Sequence, residues 1–554
     1  MGGWLKRQRV DITLVTGIWA FTAFLIGAQP WVSFDTPDSE FHASMSIYGS
    51  EVTDRAALPV YYWTRIGHIA PAHALTGVFG PLAGLEIYRL VLLAIIVISL
   101  FAILRRFTNR FNTTILTTLV AANTVLLGYL GNPYPTATAI AAMFILMAAA
   151  IVGRGWVAHL TAGAALGWLV MTSPYGTLLG VVMYAAAVFA GGAPNLQPRS
   201  LLRRVVLIVV GAATTFSALW LIGRALFPSL DWLSTYLNWN SALNQADYIN
   251  DLMRWTHDPS LLVPALAGVV SLVWLASVPR SVPIRIGAAL AVATPVFALL
   301  YWWRFPSNYL EIPHYQAMLF PAALVAVALV AADRLPQRSV SWTRGITALL
   351  AIGVSILAGH AVPAFTLGQS RLIAIAAAVI FLIPWGKRWI ASIAAIGLTF
   401  SCSQLLQNSR DNFGVSTNHL YANAYLANDT RAMMESATEA QSWVLSKTTA
   451  GDRVLTWVDA DWASQEQVLL PLAAFQLWGA NEVAQGPTIT PEAMESLAAR
   501  KPLSIVMYGK TLSAILDFWN GLPKEQQPSI PECMQVAWPQ TQTADVCVTH
   551  LQWQ

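Results

Sequence analysis

Long apolar runs separated by short polar connections set the pattern of this chain. Runs that span a bilayer, or nearly so, fall at about 12–30, 86–104, 112–130, 134–152, 157–172, 175–190, 204–226, 260–278, 283–301, 315–333, 344–361, 371–386 and 389–406, which predicts thirteen crossings. Three segments interrupt the rhythm: 31–85, 227–259 and 302–314 are too long or too polar for simple turns. The first two mix Trp, Tyr and Leu with charge at helix-like spacing, as helices lying in a membrane interface do. Beyond residue 407 the apolar density falls, and "TRAMMESATEAQSWVLSKTTAGDRVLTWVD" reads as an amphipathic helix, a Gly-Asp turn and a strand. "PLSIVMYGK" and "CVTHLQW" add further strands. The expected fold class is an all-α polytopic membrane domain over 1–406, with outer loops at 31–85 and 227–259, followed by a soluble α/β or α+β domain over 407–554.

Composition supports that division. Of the 554 residues 56% are hydrophobic and 11% charged, whereas an average soluble domain is about 25% charged. With the N-terminus inside, the connections "RRFTNR", "GRG", "NLQPRSLLRR", "PRSVPIR", "DRLPQRSVSWTR" and "GKR" share one face with Lys6, Arg7 and Arg9. That face holds 17 of the 32 basic residues and two acidic ones, Asp11 and Asp333. The other 11 of the 13 acidic residues before 407 lie on the opposite face beside seven arginines. The positive-inside rule makes the basic face cytoplasmic. The expected protein is thus a multi-pass protein of the plasma or inner membrane, with an uncleaved first helix, a cytoplasmic N-terminus and an extracytoplasmic C-terminal domain. No basic patch with interleaved aromatics points to nucleic acid. Cys533 and Cys547 both fall in the outer domain, where a disulfide closing a short loop is permitted, while Cys402 sits in the last apolar run.

Charge that is rare in the chain is concentrated in "FDTPDSEFH", residues 34–42, directly after the first apolar run. Asp35 or Asp38 can cap the helix that follows, with Pro37 in its first turn. The same face carries Arg65, Arg89, Arg224, Arg254, Arg304 and His314 near the membrane plane, where arginine is costly unless it is paired or faces water. A carboxylate beside several arginines suits transfer from a lipid phosphate: the carboxylate accepts a proton from an acceptor hydroxyl while the cations hold the developing phosphate charge. No cofactor is implied. A divalent metal is compatible with His42, His68, His73, His257 and His314, yet none shows the His-Glu-x-x-His pattern of a known metal-binding helix.

Several stretches resemble the polytopic GT-C glycosyltransferases, in the branch of the protein O-mannosyltransferases and the aminoarabinose transferase of lipid A. "DTPDSEFHASMSIYG" is similar to that family's first-loop pattern, "LPVYYWTRIGHIAP" to its Pro-x-Tyr-Tyr-Trp segment, and "GLEIYRLVLL" to the stretch that brings an arginine into the second helix. "GNPYPTATAIAAMF", "GWLVMTSPYGTLL" and "EIPHYQAMLFPAAL" stand where the family has a short outer turn, a Thr-Lys/Arg-Pro motif and a late Arg-Tyr-x-x-x-Pro segment. Here the turn lacks the usual second acidic residue, Ser173 replaces a basic residue and His314 an arginine. The resemblance implies inverting transfer of a sugar from a polyprenyl-phosphate donor to an envelope glycan, lipid or protein acceptor on the outer face.

In that reading Asp35 or Asp38 is the catalytic base, and Arg65, Arg89, Arg304 and His314 hold the donor phosphate. Glu40, Tyr61, Tyr62, Trp302 and Trp303, together with Trp63, contact sugar or prenyl chain; for the aromatics, membership of an interfacial belt is the competing role. The composition is compatible with bacterial envelope enzymes that use mannose or arabinose donors, and the outer domain either caps the face or binds carbohydrate. Two alternatives have their own signatures. A lipid-linked oligosaccharide polymerase or ligase would be led by an arginine-rich outer loop; a transporter or flippase of envelope lipids would carry internal repeats or charges in mid-membrane.

Overall fold

The computed structural model describes residues 2–26, 38–53, 61–121, 124–131, 134–153, 155–191, 198–228, 230–245, 268, 281–304, 315, 317–334, 427–452, 454–458, 483–485, 504–509, 531–538 and 542–550. The apolar runs expected at 344–361, 371–386 and 389–406, with Cys402, lie outside the described residues, as do the run at 260–278 apart from residue 268, Asp35 and His314.

The first helix, α1, is Gly2–Ile26, and the acidic segment continues into α2, Asp38–Tyr48, and the single turn α3, Ser50–Thr53. A 3-10 turn at Tyr61–Thr64 leads into α4, Ile66–Phe79. Next come α5, Pro81–Arg105; α6, Arg110–Ala121; α7, Thr124–Gly131; α8, Pro135–Ile151; α9, Trp156–Val170; and α10, Pro174–Ala190. Then follow α11, Pro198–Leu226; α12, Trp232–Gln245; α13, Val282–Arg304; and α14, Phe320–Arg334. Among the described residues three helices are long and apolar enough to cross a membrane, at Pro81–Arg105, Leu201–Leu226 and Val282–Tyr301. Shorter apolar helices accompany them at Pro135–Ile151, Trp156–Val170, Pro174–Ala190 and Ala317–Asp333.

Packing follows from side-chain size. The closest pair is α9 against α11, where a β-carbon on Gly163 would meet Ile208 O at 2.1 Å and one on Gly211 would meet Leu160 O at 2.4 Å. Backbone-to-backbone approach of this kind is how helices associate in lipid, where no hydrophobic difference drives them together. The opposite side of α11 leaves Leu202, Val205, Val209, Leu221 and Ile222 exposed, as a lipid-facing helix does. The centre belongs to α5 and α8, whose Leu93, Ile96, Val97, Ala139, Phe144 and Met147 are buried in one continuous apolar core. These two helices run parallel: Tyr88 meets Thr138 near both starts, and Phe101 and Val152 line one groove near both ends.

One expectation changes in detail. α6 and α7 are the described parts of the run expected at 112–130, and polar Asn112, Thr113 and Thr117 are buried on α6. The loop at 31–85 contains α4, which packs against α2, α5 and α11 and buries Ile66, Gly67, His68, Ile69 and Ala72. Its first half is internal, while Val78 and Phe79 at its end are exposed.

In the C-terminal part α15, Ala427–Lys447, lies against a mixed five-stranded sheet in the order β2-β1-β3-β5-β4. The strands are β1, Val454–Val458; β2, Val483–Gln485; β3, Ser504–Gly509; β4, Glu532–Trp538; and β5, Gln542–His550. β1 pairs in parallel with β2 and β3, while β3–β5 and β4–β5 are antiparallel. Cys533 and Cys547 are register partners on β4 and β5 and form a disulfide with their Cα atoms 4.1 Å apart. Lys447 pairs with Glu532 across the helix–sheet contact, which lowers the Glu532 carboxyl below its ordinary range. The crosslink spans 14 residues of sequence, a loop length for which the chain-entropy model gives about 3 kcal/mol. Replacing both cysteines by serine is expected to lower the denaturant midpoint at which the strand amides lose hydrogen-exchange protection; an unchanged midpoint would refute it.

Among the described residues α15 meets the helical bundle at α5 and at the end of α2. The Tyr48 hydroxyl, at the end of α2, donates to Thr438 O of α15 at 2.9 Å and lies 3.3 Å from Ser442 Oγ. Burial pushes the Tyr48 phenol from its ordinary 10 up to about 12, and Glu51 acts in the same direction. Because the folded value is the higher one, the contact stabilises the docked helix below pH 10 and is lost as pH rises through 12. A single neutral hydrogen bond contributes on the order of 1 kcal/mol. Tyr48→Phe is therefore expected to speed exchange of the α15 amides about fivefold at neutral pH; equal rates in both proteins would show that this bond does not dock the helix.

Candidate active site

One end of the bundle gathers the N-termini of α5, α8 and α10, and the acidic segment enters there. Asp38 and Glu40 fall in the first turn of α2, where the helix dipole stabilises negative charge. The rest of that helix buries Phe41, His42, Ala43, Ser44, Met45 and Ser46.

Arg65 follows the 3-10 turn and occupies the N-cap of α4; its backbone N–H donates to Tyr62 O at 3.2 Å, and its carbonyl accepts from His68 N at 2.9 Å and Ile69 N at 3.0 Å. Two indoles fix the chain on either side. Trp232 Nε1 donates to Thr64 O at 2.7 Å, and Trp168 Nε1 donates to Gly67 O at 2.6 Å. Gly67 is required by that close approach, since a β-carbon there would lie 2.3 Å from Thr172 Oγ1. Trp63 is buried and stacked on Phe227 with ring centroids 5.9 Å apart. Arg65 is only 5% exposed. Trp168, Trp232 and the buried Trp63 thus fix the backbone that carries this arginine.

A second arginine, Arg89, lies two turns into α5 and is 7% exposed; Glu86 precedes it by one turn on the same helix. Beside it the Tyr88 hydroxyl is 2.8 Å from Thr138 Oγ1, which is 2.9 Å from His68 Nδ1. The His68 ring meets Tyr88 at 5.6 Å and His42 at 5.8 Å, both edge-on. His42 in turn packs edge-on against Tyr62 at 5.4 Å and Tyr134 at 5.2 Å, and Tyr62 stacks on Phe41 at 4.9 Å. His42 and His68, at 1% and 2% exposed, thereby connect α2, α4, α5 and α8. Buried imidazoles, hydroxyls and arginines in one place are costly in an apolar interior and mark a polar site.

The neighbouring aromatic group is Tyr175 on α10, with Tyr301 of α13 at 5.4 Å and Tyr315 at 5.9 Å. Ser173, where a basic residue was expected from the resemblance, is the N-cap of α10: its Oγ accepts from Gly176 N at 3.2 Å, and Pro174 follows it. Trp302 and Arg304 lie in the last turn of α13, and Trp303 is 76% exposed there, outside the aromatic group. Tyr61 opens the 3-10 turn. The sequence singled out Arg65, Arg89, Tyr62 and Trp63, offered His42 and His68 only as metal ligands, and gave no role to Tyr88, Tyr134 or Thr138. The available signal was two histidines in otherwise apolar helices. Among the described residues no three His, Cys, Asp or Glu side chains gather as metal ligands.

This arrangement of helices, several of them apolar enough for a membrane, has a counterpart among solved structures. The particular likeness is to ArnT from Cupriavidus metallidurans. Its structure bound to undecaprenyl phosphate aligns over 98% of both chains, with 14% identity and a TM-score of 0.51. The apo structure aligns over 99% of this chain and 98% of that one, with 15% identity and a TM-score of 0.50. At that identity the likeness is one of fold. No protein-family model matches the sequence, and no curated protein does.

Proposed function

We propose that this protein is a membrane glycosyltransferase that moves a sugar from a polyprenyl-phosphate donor to an envelope glycan, lipid or protein acceptor, with inversion. The observation that carries the reading is the pair of buried arginines, Arg65 and Arg89, at the end of the bundle where the acidic segment enters. Arginine held out of water at that depth suits a phosphate, which its planar fork matches. The likeness to a structure bound to undecaprenyl phosphate supports a polyprenyl phosphate as the lipid partner.

In the proposed reaction Asp35 or Asp38 takes the proton from an acceptor hydroxyl. The freed oxygen forms its bond to the anomeric carbon as the bond from that carbon to the phosphate oxygen breaks. The leaving polyprenyl phosphate carries the electron pair away, and Arg65 and Arg89, with Arg304 and His314, stabilise its charge. Tyr61, Tyr62 and Trp302 contact sugar or prenyl chain, and Glu40 contacts the sugar. The site faces the outer side by the positive-inside rule, and the segment from 407 onward forms an extracytoplasmic domain that covers it.

The test is transfer from a panel of radiolabelled polyprenyl-phosphate sugars, including mannose, arabinose and aminoarabinose, in membranes carrying this protein. Turnover of one donor with release of polyprenyl phosphate is expected. Movement of intact lipid-linked sugar across the bilayer, with no donor consumed, would replace this reading with the transporter.

A further inference from the structure

At the end of the bundle opposite the candidate active site, α1, α5 and α8 enclose an open groove of roughly 630 Å³. Its polar wall is Gln8, Asp11, Arg105 and Arg106, and its apolar wall is Ile12, Phe101, Ala102 and Val152. The charges in it are unequal. Asp11 Oδ1 accepts from Arg110 Nε at 2.5 Å and lies 3.9 Å from Arg105 Nε, while Arg105 Nη1 donates to Thr108 O at 3.1 Å. The wall thus carries two arginines against one carboxylate, and that carboxylate is also bonded by Arg110 from outside the groove. Arg106 is exposed, with its guanidinium 5.6 Å from the centre of the Phe107 ring. The groove lies at the last turn of a 25-residue apolar helix, where the hydrocarbon region gives way to headgroups.

We infer that this groove binds an anionic glycerophospholipid of the surrounding bilayer. The phosphate sits between Arg105 and Arg106, and the first acyl carbons lie along Ile12 and Phe101. Charge complementarity selects an anionic headgroup, because a zwitterionic one would bring its own ammonium against two arginines. The apolar wall selects a lipid over a soluble phosphate. Ile12, 63% exposed, continues that wall outward to the bilayer. Asp11 sets the limit of the site: it holds Arg110 away and keeps the groove from becoming a general anion trap.

The test is native mass spectrometry of the full-length protein extracted from vesicles of equal phosphatidylglycerol and phosphatidylcholine. The wild type is expected to retain phosphatidylglycerol over phosphatidylcholine, and each of Arg105→Gln and Arg106→Gln to lower that preference about fivefold. Asp11→Asn is expected to raise it, which keeps the inference testable if an arginine variant does not elute as a monodisperse protein. Equal retention of the two lipids by the wild type would overturn the site, as would a preference that neither arginine variant changes. Displacement of phosphatidylglycerol by equimolar undecaprenyl phosphate, or by millimolar inorganic phosphate, would overturn the assignment to a glycerophospholipid.

Discussion

Asparagine in place of one of the two early aspartates, Asp35 or Asp38, is expected to lower sugar transfer by a factor of about 10² to 10⁴, the usual contribution of a positioned general base. The same change at the other aspartate is expected to leave the rate within a few-fold of wild type. The two outcomes separate because asparagine and aspartate are near-equal helix N-caps. A residue that only caps α2 survives the exchange, whereas a base does not, since the amide cannot take the acceptor's proton. Asp38 begins α2, so its exchange for asparagine keeps a residue that can cap the helix. The measurement is the initial rate with radiolabelled donor at matched protein levels. The loss should fall on kcat with KM for the donor nearly unchanged, because a base acts in the transition state. Full activity in both variants would remove the aspartates from the mechanism and leave "DTPDSE" as a helix start.

The membrane helices were legible because apolar length is a direct physical demand of the bilayer. α5, α8, α10, α11 and α13 begin or end within a few residues of the apolar runs that predicted them. Hydropathy says less about what a helix packs against. "IGHIAPAHALTGVF" is apolar, yet short and interrupted by proline, so its place in a long loop was read as interfacial, while its burial depends on α2, α5 and α11. The same limit divides the site. Arg65 and Arg89 stood out because charge is scarce in this chain. His42, Tyr88 and Thr138 are ordinary residues of apolar helices until the fold brings four elements together around His68. Trp168 and Trp232, far from Arg65 in sequence, hold its backbone through single indole N–H groups, a dependence that no spacing rule encodes.

Removing either buried arginine is expected to have the second large effect. Arg65→Gln and Arg89→Gln should each lower kcat/KM for the polyprenyl-phosphate sugar by a factor of about 10² to 10³, the loss typical of one preorganised group facing developing charge. Lysine at the same positions tests the geometry separately from the charge. An ammonium keeps the positive charge but lacks the planar fork, so Arg→Lys should recover part of the loss and not all of it. The two positions differ in how firmly they are held. Arg65 has its backbone fixed on both sides by the indoles of Trp168 and Trp232, so a substitution there leaves the turn in place and the deficit reports the side chain. Arg89 lies inside α5 with Glu86 one turn before it. Its removal leaves that carboxylate without a nearby cation on the helix, and Glu86→Gln combined with Arg89→Gln should then recover protein yield but not transfer. If the double variant regains full transfer, Arg89 serves only to neutralise Glu86, and the phosphate is held elsewhere.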